Sequence, residues 1–324
     1  MPSSYLRLVR ATRLEDLPRQ VQRVAGLPYL SRADFFPDIS ADEAARMAEL
    51  SQNARGEGPA PILLFGVMPR SGTNFLRDLI AEHPGVHADP GRLYEFPLLQ
   101  VASSATALMR DFVARFPRNA EVVSRWDALG LLAGAWLGEL QREAGEKRIL
   151  LKSPHVQNLT LAPHLFPGAK IVLCLRDGRD VIDSSLKTFS RWSLSRKTFG
   201  QLAQEWRLGA EAILAFDEGG PEATPDVTVV RYEELVADPE PALRGVFARI
   251  GLDAGAYDFA KVAAMPVRGS SRAKGQDDSR WQPQERGADF KPVRRWASWT
   301  PARKARFERI AGAVSKEAGY EPSA

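Results

Sequence analysis

The sequence predicts an α/β fold in which helices wrap a central parallel β-sheet, with helical additions around it. Three observations carry that expectation. Apolar runs of strand length at 62–67, 148–151, 169–175 and 227–230 alternate with stretches of helical spacing, the pattern of successive βα units. Apart from Lys170, the first and third runs are continuously apolar rather than alternating, as strands buried on both faces are. Polar clusters follow the ends of three of these runs, where open α/β sheets bind ligands.

Residues 1–60 read as a helical extension. Ser40-Ala41-Asp42-Glu43 has the capping-box pattern, Ala44, Met47, Ala48 and Ser51 follow on one face, and Gly56 to Pro61 breaks the helix. Tyr29, Phe35 and Phe36 are expected to pack onto the main domain. After the strand at 62–67, Phe75, Leu76, Leu79 and Ile80 give Asn74 to His83 helical spacing, so a tight six-residue loop joins strand to helix. The following connection is turn-rich, punctuated by Pro84-Gly85 and Pro90-Gly91, with Glu95 near its far end. Helices are expected over 98–116 and 124–144. The second has Leu129, Leu132, Ala133, Trp136, Leu137 and Leu140 on one face, and Phe112, Phe116, Trp126 and Trp136 read as core. The strand at 148–151 ends in Lys152-Ser153-Pro154-His155 before a helix to Phe166, and a long amphipathic helix covers 199–216. The strand at 227–230 leads into a helix through Ile250. The aperiodic tract 266–293 reads as a lid loop, and Thr300-Pro301 starts a last helix ending near Gly319.

Composition bounds the function. With 324 residues, 44% of them hydrophobic, one large core is within reach. Lys plus Arg of 44 against Asp plus Glu of 40 leaves +4, which suits anionic small molecules but is too small and dispersed for a nucleic-acid partner. Cys174, the single cysteine, sits in an apolar run, so the expectation is a buried thiol in a reducing compartment. No stretch approaches the ~18 apolar residues of a transmembrane helix, and the N-terminus lacks a signal-peptide core. A cytoplasmic chain with no membrane partner is expected.

The loop Pro69-Arg70-Ser71-Gly72-Thr73-Asn74-Phe75 is built to cradle a phosphate. Gly72 lets the backbone approach an anion, Ser71, Thr73 and Asn74 supply donors, the new helix points its positive end at the same spot, and Arg70 adds a fixed charge. It is not the Walker loop of nucleotide triphosphatases. Gly66 lies six positions before Gly72, and Thr73 stands where the lysine would be. Further on, Arg176-Asp177-Gly178-Arg179-Asp180 is followed by Ser184 on the next helix. A guanidinium fork, a hydroxyl and a helix N-terminus together suit a phosphate dianion, although an ordinary ion-pair cluster is the alternative.

These motifs resemble those of sulfotransferases that use 3′-phosphoadenosine 5′-phosphosulfate (PAPS). Pro69 to Phe75 is similar to the family's 5′-phosphosulfate loop, and Arg176 with Ser184 is similar to its 3′-phosphate motif. Val230-Arg231-Tyr232-Glu233-Glu234-Leu235 resembles a segment whose tyrosine lies near the adenine. Gly269-Ser270-Ser271-Arg272 with Lys274-Gly275 resembles the closing region, in which Arg272, Lys274 and Gly275 correspond to residues over the nucleotide. The resemblance spans roughly residues 62–320 and implies a P-loop-like sandwich over 1–324. Its parts would be a helical extension (1–60), a nucleotide-binding core (61–260) with a helical acceptor-side insertion (96–145), and a lid and helix (261–324).

The implied reaction moves a sulfuryl group from PAPS to a hydroxyl or amine, leaving PAP, with no metal required. Arg70 and Lys152 would stabilise developing charge. Glu95 stands where tyrosylprotein and heparan-type sulfotransferases place a base and is the first choice; His155, displaced one position by Pro154 from the place cytosolic members use, is the second. The acceptor, whether small molecule, carbohydrate or peptide, is left open, as is the oligomeric state. A P-loop-type kinase and a non-catalytic nucleotide-binding protein are the alternative readings.

Overall fold

The structure, a computed structural model, describes residues 17–188, 197–263, 265, 269–271, 282–284 and 292–322. Five parallel strands, β1 (Ile62–Gly66), β2 (Val86–Ala88), β3 (Arg148–Ser153), β4 (Lys170–Leu175) and β5 (Val227–Arg231), form one sheet in the order β2-β3-β1-β4-β5. The pairing aligns Ile62 with Leu150 on one side and with Lys170 on the other, so the apolar runs stack across the sheet. A short antiparallel pair, β6 (Gly269–Ser271) and β7 (Gln282–Gln284), lies outside this sheet.

Alternate residues serve two cores. Leu63, Phe65, Leu151, Ile171 and Leu173 share one cluster with the helices Ala41–Arg55, Asp127–Ala144, Phe199–Leu214 and Pro301–Glu317. Ile62, Leu64, Leu150, Val172 and Cys174 share the other with Thr73–Ala81 and Pro239–Ile250. Each such side chain contributes about 1.5–3 kcal/mol of burial free energy. Hence a continuous apolar run, rather than an alternating one, is what the central strands require. The capping box forms as expected, Ser40 Oγ accepting from the Glu43 amide at 3.2 Å and Glu43 Oε2 from the Ser40 amide at 3.0 Å.

Three details differ from the sequence expectation. Val86–Ala88 is a strand, β2, inside the connection read as turns; three residues are too few for a periodic signal. β3 continues through Lys152 and Ser153, which pair with Leu64 and Phe65 of β1, so a lysine ends a buried strand. Of the four aromatics expected in the core only Trp126 is buried; Phe112, Phe116 and Trp136 are 51%, 56% and 36% exposed. The cause is that the helix Ala102–Arg115 buries only Ala102, Ala105 and Ala107. The helix Asp127–Ala144 likewise buries Leu129, Gly130, Ala133, Gly134, Leu137 and Leu140, which leaves Leu132 and Trp136 at its rim.

The order β2-β3-β1-β4-β5 puts β1 where the chain's excursions part, to β3 on one side and β4 on the other. The crevice at its carboxyl end is the natural ligand site of such a sheet.

Candidate active site

At that carboxyl end the chain turns back on itself. Val67 continues the ladder to the Cys174 carbonyl (3.0 Å), and Ser71 N donates to Met68 O (3.2 Å). A Cβ on Gly66 would lie 2.3 Å from Ser71 Oγ, so the loop folds directly over the strand end. Gly72, at φ 97°, precedes the helix Thr73–Ala81. Its backbone lies against the Tyr232 ring, where a Cβ would come within 2.2 Å, so position 72 admits only glycine on both counts. Arg70 also takes a left-handed conformation, φ 81°, a strained state for a non-glycine residue of the kind found at functional sites.

Arg176, at the end of β4, reaches under this loop. It is 5% exposed, donates Nη1 to Arg70 O (2.9 Å) and Nη2 to Pro292 O (2.5 Å), and stacks its guanidinium 4.2 Å from the Tyr232 ring centroid. Arg70 Nε in turn donates to Ser184 Oγ at 3.1 Å. Arg70, Gly72, Arg176, Ser184 and Tyr232, far apart in sequence, therefore meet. Arg176 Nε and Ser71 Oγ are buried with no hydrogen-bond partner. Orphaned buried donors beside two guanidinium groups and a helix N-terminus fit an anionic phosphate group.

The other charges of the Arg176–Asp180 stretch have structural partners. Arg179 forks onto the Asp177 carboxylate (2.9 and 2.8 Å) and stacks 3.7 Å from the Trp296 ring centroid, and Trp296 Nε1 donates to Asp177 (3.1 Å). The ion-pair alternative thus describes Asp177 and Arg179, whereas Arg176 faces the loop. Asp180 accepts the backbone N–H groups of Arg294 and Arg295 (2.8 and 2.7 Å), and burial raises its pKa above the usual carboxylate value. That role for Asp180, tying the C-terminal segment to the helix that carries Ser184, had no sequence signal.

On the β3 side, Lys152 is almost fully enclosed. Its Nζ donates to Asn74 Oδ1 at 2.8 Å, lies 3.3 Å from Glu95 Oε1, and sits 4.4 Å from the Tyr94 ring centroid. The connection carrying Glu95 is pinned to the strand by Phe96 N donating to Lys152 O at 2.7 Å. Burial lowers the lysine pKa, with the Glu95 charge acting against it. Lys152, Asn74 and Glu95 are thereby brought together beside the loop, Glu95 remaining open to solvent with a side chain 38% exposed.

His155 follows the same strand end, two residues beyond Ser153. Desolvation pushes its pKa down to about 4, with the Glu205 charge opposing and Lys197 and Lys152 adding to the shift. Arg272, Lys274 and Gly275 lie outside the described residues. Among the described residues, no group of three or more His, Cys, Asp or Glu side chains is arranged to hold a metal ion.

The model of the sulfotransferase family matches residues 61–255, more than half of the chain and all of the sheet. The chain belongs to the sulfotransferase family. Among curated relatives it is 23% identical to protein-tyrosine sulfotransferase A of Caenorhabditis elegans over 69% of this chain and 60% of that one. It is 28% identical to the nodulation protein NoeE of Sinorhizobium fredii over 64% of this chain and 54% of that one. It thus spans about half to three-fifths of the length of these two relatives. Among solved structures, the sulfotransferase domain of the Synechococcus PCC 7002 olefin synthase shares the fold at a TM-score of 0.51 and 20% identity, covering 83% of this chain and 98% of that one. The family match takes in Arg70 to Phe75, Glu95, Lys152, His155, Arg176, Ser184 and Tyr232, and leaves outside it the N-terminal helix and the segment clamped by Asp180.

One buried charge that acts on His155 was missed in the sequence. Glu205, 2% exposed, pairs with Lys197 through Oε2 while its Oε1 is buried without a hydrogen-bond partner. The available signal was a carboxylate set among Leu202, Trp206 and Leu208 on an otherwise apolar helix face.

Proposed function

We propose that this sulfotransferase takes its sulfuryl group from PAPS and passes it to a hydroxyl, or an amine, of an acceptor. The observation that carries the reading is the convergence of Arg70, Arg176, Ser184 and Tyr232 on the β1 loop, with the Lys152–Glu95 pair 3.3 Å apart at the adjacent strand end. The donor would supply an activated sulfuryl group on a phosphate leaving group. Ser71, Gly72, Thr73, Asn74 and Phe75 would hold its 5′ end at the helix N-terminus, and Arg176 and Ser184 the 3′-phosphate, with Tyr232 beside the base. Arg272, Lys274 and Gly275 would close over the nucleotide.

The rest follows from the residues' charges. The acceptor oxygen attacks sulfur, its proton passes to Glu95, and the bond from sulfur to the bridging phosphate oxygen breaks, releasing PAP. Lys152 and Arg70 stabilise the charge that grows on that oxygen, as fixed cations in a poorly hydrated site do. In this reading Glu95 is the base because its carboxylate is 38% exposed and lies 3.3 Å from Lys152, beside the cation assigned to the transferring group. His155, with a pKa of about 4, is a weak base near neutrality. Arginine and lysine supply the positive charge, so no metal is needed, and the enzyme is read as cytoplasmic.

The test is transfer of labelled sulfate from PAPS to a panel of carbohydrate, phenol and peptide-tyrosine acceptors by wild type, Glu95→Gln and His155→Ala. Loss with Glu95→Gln and retention with His155→Ala is the expected outcome. The reverse pattern would make His155 the base.

A further inference from the structure

Tyr94 precedes Glu95 in the connection that crosses the end of β3, and it is 49% exposed. Its neighbours turn inward, Phe96 being buried and Leu93 packing against the same core. Core packing therefore does not account for the direction of the Tyr94 ring. Two polar contacts do. The ring centroid lies 4.4 Å from Lys152 Nζ, and the hydroxyl accepts a hydrogen bond from Asn74 Nδ2 at 3.2 Å. The Phe96 amide, donating to Lys152 O at 2.7 Å, ties the backbone that carries Tyr94 to the strand that carries the lysine.

The proton inventory around Lys152 gives the hydroxyl and the ring separate tasks. An ammonium carries only donors, whereas a carboxamide accepts on one side and donates on the other. Lys152 Nζ directs one donor to Asn74 Oδ1 (2.8 Å) and one to Glu95 Oε1 (3.3 Å). With its oxygen on the lysine, the Asn74 amide must turn its NH2 away, and the Tyr94 hydroxyl is the acceptor that receives it. Were the amide reversed, Nδ2 would face an ammonium, donor against donor. The face of the ring gives the ammonium a third partner through the negative charge of its π-system.

These partners matter because the amine is buried, and burial favours the neutral form. Of the charges around it, Glu95 and Asp89 favour the ammonium and Arg77 opposes it, Arg77 being itself paired with Asp78 (2.7 Å) and Asp89. His155, just beyond the same strand, is held neutral with a pKa of about 4. We propose that Tyr94 is a positioning residue of the transfer site, its hydroxyl fixing the Asn74 amide with the oxygen on Lys152 and its ring holding the lysine charge in place. The inference rests on the reading of Lys152 as the cation at the transferring group, and Tyr94 acts through Asn74 and Lys152 rather than on the substrates.

The test observes the lysine directly and so does not depend on the donor. In the full chain labelled with carbon-13 at lysine Cε, the Lys152 resonance, assigned by its loss in Lys152→Met, is titrated by NMR in wild type, Tyr94→Phe and Tyr94→Leu. Partners that favour the ammonium raise its pKa, so removing them releases the proton at lower pH. Tyr94→Leu, without ring or hydroxyl, should titrate about one pH unit below wild type, and Tyr94→Phe, which keeps the ring, between the two. The alkaline limb of kcat for sulfate transfer from PAPS should move down by the same interval. Unchanged titration of Lys152 in Tyr94→Leu overturns the proposal whatever the activity does, and a shifted titration with an unshifted limb overturns the role in transfer. Tyr94→Phe identical to wild type overturns the part assigned to the hydroxyl. A wild type that transfers no sulfate, with Lys152 shifting in the variants as expected, supports the placement of Tyr94 and overturns the PAPS reading instead.

Discussion

Replacing Arg176 by alanine separates the role of this residue in the site from its role in the fold. Its guanidinium holds the carbonyls of Arg70 and Pro292 at 2.9 and 2.5 Å and keeps Nε buried without a partner. One charge-assisted contact to a phosphate is worth about 1.5–3 kcal/mol, so the Kd for PAP should rise roughly 10- to 150-fold. Two carbonyls also lose their donor, at a cost of about 2 kcal/mol to the unliganded protein. The assay is thermal unfolding with and without PAP. At a concentration about 100 times the wild-type Kd, PAP should stabilise wild type by about 2.7 kcal/mol, and a variant with a hundredfold weaker Kd by only about 0.4 kcal/mol. Arg176→Lys, which keeps the charge and loses the fork, should fall between. A variant that melts early but gains as much from PAP as wild type would show that Arg176 holds the loop and does not touch the ligand.

Other expectations follow from the same geometry. Lys152→Met should lower kcat about a hundredfold or more while changing PAP affinity little, because its charge is needed when charge develops; steady-state kinetics with titrated PAP would show it. His155 is held neutral, with its pKa pushed down to about 4, whereas the unfolded chain takes up that proton near 6.5. Its contribution to stability is present above the unfolded value and is lost as pH falls from there towards 4, by up to about 3 kcal/mol at about 1.4 kcal/mol per unit. The urea midpoint should therefore drop over that range, and drop less in His155→Gln. Cys174, fully buried with its thiol pushed up to about 12, should react with iodoacetamide only after unfolding. Fast labelling of the native protein would contradict the packing described.

The legible part of the molecule was what local pattern specifies. Buried parallel strands need unbroken apolar runs, so β1 and β4 stood out, and Ser40 and Glu43 announced a helix start because the capping contacts lie within four residues. The tight strand-to-helix loop was legible for the same reason, since Gly72 and the helix start are contiguous. What connects distant parts was not. Nothing local says that Arg70 Nε meets Ser184, that Asp180 receives the amides of Arg294 and Arg295, or that Gly72 must make room for Tyr232. The aromatics of the insertion misled because helical spacing marks a face but not what covers it. Alanines carry the contacts of the helix Ala102–Arg115, leucines, alanines and glycines those of Asp127–Ala144, and Phe112, Phe116 and Trp136 are left outside while Trp126 is buried.

Calorimetric titration of the wild-type protein with PAP, and separately with ATP and magnesium, is the most direct test of the donor site. Tight PAP binding that needs no divalent ion, with no comparable heat from ATP and magnesium, is the result required by Arg70, Arg176 and Ser184 around the β1 loop. Binding of ATP and magnesium without PAP, or no binding of PAP at all, would contradict it.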